Sequence, residues 1–144
     1  MTHTALATGT TGSSSAPIAG LEYRPGVCNI GPEEIARRRR AGHVGVIATV
    51  VAFVVLVAIG APPLARLLVA IPAVIAASGY LQAWLKFCAG FGSRGVFNFG
   101  AIGGTEAIAD PEARARDRSR ANRIGLASFA IGVAVGLVAV VLPV

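Results

Sequence analysis

Few residues in this 144-residue chain have types and spacing suited to chemistry: two cysteines, Cys28 and Cys88, one histidine beside an apolar stretch, His43, and the glycine-rich segment Gly90-Phe91-Gly92-Ser93-Arg94-Gly95. A cysteine acts as a nucleophile through its thiolate, which nearby cations favour. Lys86 and Arg94 flank Cys88, so Cys88 is the first thiol candidate and Cys28 the second. The two have neither CxxC spacing nor histidines at ligand spacing, and two cysteines are too few for a disulfide scaffold. No metal and no cofactor is therefore expected. His43 has no partner in sequence that would make it a haem ligand or a proton relay. The GxGxxG match needs a strand before it and a helix after it, within a βαβ unit. An apolar helix precedes it instead, so it reads as a membrane-proximal turn. No catalytic residue emerges, and the chain is not expected to be an enzyme.

The elements that must position these residues are apolar. Three stretches, 44–60, 64–85 and 124–142, contain no acidic residue. A membrane-crossing helix needs about 20 mostly apolar residues to span roughly 30 Å of hydrocarbon. Hydrophobic residues make up 54% of the chain and charged residues 14%, and the mean hydropathy is +0.68. The expected fold class is an all-α membrane protein: a helical hairpin plus a third transmembrane helix, with long juxtamembrane helix starts and a disordered N-terminal tail. The longest stretch outside the spans, 86–123, is shorter than the roughly 50 residues a separate domain requires. The net charge of +6 comes from arginines beside apolar spans rather than on a free polar face, which argues against nucleic acid as a partner.

Residues 1–27 are expected to form a disordered cytoplasmic tail, rich in Thr, Ser and Gly without apolar periodicity. The tail lacks the basic start and apolar core of a secretory signal, so no cleavage is expected. Residues 28–90 form the hairpin. Its first helix starts at Pro32-Glu33-Glu34 in water, and Gly60-Ala61-Pro62-Pro63 ends it in a tight turn. Pro72 predicts a kink inside the second span. Tyr80, Trp84, Phe87 and Phe91, spaced four, three and four apart, predict one aromatic helical face at the membrane interface. Residues 91–109 read as a Gly/Phe-rich cytoplasmic loop, because glycine disfavours helix. In the last segment, 110–144, Asp110 is the expected N-cap of an Arg-rich helix that enters the membrane at Ile124.

Arginines set the orientation. Arg37, Arg38, Arg39 and Arg40 precede the first span, and Arg114, Arg116, Arg118, Arg120 and Arg123 precede the third, whereas the hairpin turn has Arg66 alone. The positive-inside rule then places the N-terminus and the loop in the cytoplasm and the C-terminus outside a bacterial inner (plasma) membrane. Both clusters are expected to contact anionic lipid headgroups. Ser128, Gly132 and Gly136 form a small-residue stripe suited to helix packing, within the chain or between copies. Charged groups are absent from the centre of every span, which counts against a small-solute or ion-coupled transporter. The leading functional expectation is association, as a homo-oligomer or an accessory subunit of a larger membrane complex. The alternative is a membrane thiol module handling sulfur or redox equivalents through Cys88.

The run from Cys28-Asn29-Ile30-Gly31-Pro32 to Arg37, followed by a short hairpin ending in Phe87-Cys88, resembles the YgaP-like transmembrane domain family of bacteria. The resemblance covers residues 29–95. It implies a membrane-anchored module that dimerises, with Cys88 as the one residue carried over. Two departures stand out: Ala89 replaces a proline after the cysteine, and a third span follows. Some relatives in that family carry a rhodanese domain, to which their sulfur chemistry belongs. No stretch of this sequence is long enough for one.

Overall fold

The computed structural model describes residues 22–143, and it is mostly helical. Helix α1 spans Pro32–Ala58 and is followed by a 3-10 helix, Pro63–Val69, that leads into α2, Ala70–Trp84. A short helix, α3 (Ala89–Arg94), precedes two residue pairs of antiparallel sheet, β1 (Val96–Phe97) with β2 (Glu106–Ala107), and α4 spans Pro111–Val141. Three helical segments are long and apolar enough to cross a membrane: α1, the continuous stretch Pro63–Trp84, and α4. At 1.5 Å per residue α1 is about 40 Å long and α4 about 46 Å.

Local chemistry accounts for the helix ends. Pro32 occupies the first turn of α1 together with Glu33 and Glu34, where a missing N–H costs nothing and acids face the positive dipole end. At the other end, Gly60 at φ +65° closes a Schellman motif: its N–H donates to the Val57 carbonyl, and the Ala61 N–H donates to Leu56. Asp110 caps α4 by accepting from the Glu112 and Ala113 N–H groups at 3.0 and 3.2 Å. Pro72 falls within the second membrane-length stretch, where the winding of the helix changes. It lies in the first turn of α2, and the chain before it is wound as a 3-10 helix. An α-helix through this region would need a Pro72 N–H to pair with Leu68, and proline has none.

The helices pack through small residues. A methyl group built on Gly45 would sit 2.5 Å from the Ala76 nitrogen, and one on Gly79 would sit 2.5 Å from the Gly42 nitrogen, so α1 and α2 touch backbone to backbone. Residues 42 and 45 of one helix meet 79 and 76 of the other, an antiparallel register. On α4 every buried residue falls on one stripe: Ala113, Asp117, Ala121, Ile124, Ser128, Gly132, Gly136 and Ala139. Gly132 and Gly136 lie against Val74 and Ala70. Many of the remaining apolar side chains of α1 and α4, Ile47 and Leu126 among them, are exposed, as suits lipid-facing surface.

Two expectations about the non-helical parts need correction. The tail was expected to be disordered to residue 27. Residues 1–21 lie outside the described residues, but 22–27 form a turn fixed on α4, where the Asp117 carboxylate accepts from the Gly26 N–H at 2.6 Å and from the Tyr23 hydroxyl at 3.3 Å. The glycine-rich segment is not simply a loop either, because it contains α3 and the small sheet. Its glycines serve close packing: a methyl on Gly92 would strike the Phe87 ring and the Asp117 carbonyl at 2.7 and 2.9 Å.

Candidate thiol site

The residues before α1, the end of α2, α3 and the start of α4 together form a compact head on one end of the helices. Its centre is Asn29, which is wholly buried. The Asn29 side-chain amide donates to the Cys88 carbonyl at 3.1 Å, and its carbonyl oxygen accepts from the Cys88 N–H at 2.7 Å. One side chain therefore holds both backbone groups of Cys88. Flanking main chain completes the clamp: the Asn29 N–H donates to Lys86, and the Asn98 N–H donates to Asn29. Gln82 fixes the next residue by accepting from the Ala89 N–H at 2.9 Å, while its own amide donates to the Ser78 hydroxyl at 2.7 Å.

The clamp presents the Cys88 sulfur to a cation. Arg38 Nη2 donates to Cys88 Sγ at 3.0 Å and also lies 3.6 Å from the Glu34 carboxylate. Glu34 is 1% exposed and pairs with Arg37 as well, again at 3.6 Å. One buried carboxylate is thus shared by two guanidinium groups, and the i, i+3 and i, i+4 spacings along α1 bring them together. The cation comes from α1, across the hairpin, rather than from the sequence neighbours Lys86 and Arg94. Cys88 is 2% exposed, so only a small reagent or a local opening reaches it.

Cys28 is buried beside Asn29, with its thiol facing the Ile30 carbonyl at 3.9 Å, and both cysteines are free. Burial pushes the Cys28 thiol above its ordinary pKa, against smaller opposing effects of the Ile30 backbone, Lys86 and Arg24. Across the head, burial likewise raises the Asp117 carboxyl, and the Gly26 N–H and Tyr23 hydroxyl partly offset it. Tyr23 is pushed up to about 12, first by burial and then by the Asp117 carboxylate.

The other sequence-predicted residues separate. Tyr80, Trp84, Phe87 and Phe91 do not share one face, because α2 ends at Trp84 and Lys86 takes a left-handed conformation at φ 52°. Trp84 points outward at 79% exposure, whereas Phe87 is fully buried against Ala121 and Ile124 and is a core residue, not an interfacial one. Tyr80 covers Gly42, and its hydroxyl lies 2.6 Å from His43 Nδ1, which supplies the partner that His43 lacks in sequence. Arg37, Arg39 and Arg40 are exposed, as are Arg114, Arg116, Arg118 and Arg123, while Arg38 and Arg120 are half-buried. Ser128 is buried and donates back to the Ile124 carbonyl, and with Gly132 and Gly136 it lies inside the chain.

Asn29 and Glu34 stand out in sequence only as parts of a helix start and a resemblance, and Gln82 and Asp117 not at all; none reads there as part of the site. A signal existed for Gln82, the chain's one glutamine, set near the end of an apolar span. Another existed for Glu34, which lies four residues before Arg38.

A helical chain with three membrane-length apolar helices and a polar head around one cysteine is of the integral-membrane class. Beyond that class, no family model matches the sequence, and neither a curated protein nor a solved structure shows significant similarity to it.

Proposed function

We propose that this is a three-span protein of the bacterial inner membrane, with its head in the cytoplasm, working as a membrane-held thiol module through Cys88. The contact of Arg38 Nη2 with Cys88 Sγ at 3.0 Å carries the reading. A cysteine that serves only to pack behaves as a small apolar residue and has no use for a guanidinium on its sulfur. Clamping of the Cys88 backbone by Asn29 supports it, since a nucleophile works best when its geometry is fixed beforehand. The orientation rests on the arginines, seven of which are exposed around the head.

The chemistry is thiol exchange with a small disulfide or persulfide. The Cys88 thiolate attacks one sulfur of the S–S bond and forms a new S–S bond to it. The old bond breaks, and its electron pair leaves with the departing sulfur, which takes up the proton that Cys88 gave up. Oxidation state is conserved overall. Association remains a second role, but not through the Ser128/Gly132/Gly136 stripe, because α2 already covers it.

The test is the rate of Cys88 modification in membranes by a small methanethiosulfonate, in a Cys28→Ser background. Modification should be slowed at least about tenfold by Arg38→Gln and largely restored by Arg38→Lys. An inert Cys88, or a rate that rises when Arg38 is removed, would refute the proposal.

A further inference from the structure

On the side of the α1/α2 contact runs a groove of about 270 Å³ that shares Arg38 and Gln82 with the thiol site and extends beyond it. Its walls change character along its length. At the head end stand Arg38 and Gln82, then Ser78, and towards the middle of the helices Ala41, Val74 and Ile75. From residue 82 to residue 74 the helix rises about 12 Å, so the groove passes from the head into apolar surface.

Two features of the polar end point to an anion. The buried Glu34 carboxylate is the one acid paired with either Arg37 or Arg38 among the described residues, which leaves an excess positive charge there. The Ser78 hydroxyl accepts from Gln82 at 2.7 Å, and among the described residues its own proton is donated to no group. A guanidinium and a spare hydroxyl donor at the mouth of an apolar groove match a phosphate ester carrying a hydrocarbon chain.

We infer that this groove is a discrete binding site for one anionic phospholipid, with its phosphodiester on Arg38 and Ser78 and the start of an acyl chain along Ala41, Val74 and Ile75. The inference rests on the membrane reading but not on any reactivity of Cys88. It differs from the general lipid contact of the exposed arginines in being a single site with a defined stoichiometry.

The experiment is native mass spectrometry of the full chain in mild detergent, titrated with phosphatidylglycerol or phosphatidylcholine. One phosphatidylglycerol per chain should be retained at a concentration at least about tenfold below that needed for phosphatidylcholine, a preference of about 1.4 kcal/mol. Ala41→Leu, which fills the groove, should abolish that preference, whereas Arg40→Gln, outside the groove, should keep it. If Ala41→Leu fails to fold, Ser78→Ala serves instead: it removes the hydroxyl without adding volume, Gln82 keeping the Ser78 carbonyl at 3.1 Å as an acceptor, and should weaken retention several-fold. Equal retention of both lipids, or a preference that survives both groove variants, would overturn the site. Displacement of the lipid by inorganic phosphate would also overturn it, because the groove would then be an ion site rather than a lipid site. Loss of Cys88 reactivity with lipid binding intact would refute the thiol reading alone.

Discussion

Where α1 meets α2 at Gly45 and Gly79, contact is made by leaving side chains out, whereas in the head Asn29 makes contact by bonding both backbone groups of Cys88 with one side chain. The difference follows from the surroundings. Between apolar helices lipid competes as well as protein does, so close backbone approach and dispersion decide the packing. In the head the chain turns sharply, and backbone groups that leave the helices must find partners or lose about 1–3 kcal/mol each. One region therefore has no tolerance for added volume, and the other has none for lost polarity.

Added volume should do the most damage. Gly79→Leu is expected to cost more than the roughly 1–3 kcal/mol usual for overpacking, because the obstructing atoms are backbone and cannot rotate away. The variant should fail to elute as a folded species on size exclusion in detergent. Recovery at wild-type stability would show that α1 and α2 are not in backbone contact. Next comes Asn29→Ala, which strands the buried Cys88 N–H and leaves the Cys88 carbonyl to the Gly92 N–H alone, and it should lose about 1–3 kcal/mol in a reversible denaturation assay. Asn29→Asp keeps an acceptor for the Cys88 N–H but turns a carboxylate oxygen toward the Cys88 carbonyl, so an equally large loss would show that polarity, and not volume, is at stake. Asp110→Ala, at an exposed cap, should lose only about 1 kcal/mol and leave the head's contacts intact.

Asp117 gives the smallest effect, and its sign is definite. Its pKa is raised in the folded chain above the ordinary 3.8, so between those two values the folded state holds more protons than the unfolded state. The carboxyl's contribution therefore falls as pH rises through that window, and the handicap is complete above the raised value. Asp117→Asn keeps an acceptor for Gly26 and a partner for Tyr23 but cannot ionise. Melting temperatures compared from about pH 4 to pH 7 should show the variant gaining on the wild type as pH rises. A difference independent of pH would contradict the burial of that carboxylate.

Much of the helical framework was legible because its signals are local. Pro32-Glu33-Glu34 and Asp110-Pro111-Glu112 announce helix starts, Gly60 with Pro62 and Pro63 announces a stop, and long apolar runs announce membrane-length helices. What could not be read depends on residues far apart in the chain. Periodicity placed Phe87 with Trp84 because nothing local says that Lys86 adopts a left-handed conformation and ends the helix. Glycine content argued against α3, although Gly92 is there so that Phe87 can approach α4. Arg38 looked like its three neighbours, and only the fold distinguishes it, by bringing Cys88 to it from 50 residues away.

The long reach of the head's hydrogen bonds also has a consequence in time. Asn29 leaves the ribosome 59 residues before Cys88, and Gly26 leaves 91 residues before Asp117. At about 5–20 residues per second, Asn29 waits roughly 3–12 s for its partner and the preceding turn longer still. During synthesis α1 and α2 can be inserted while their shared end is still unfinished, so the head closes only after the hairpin has formed.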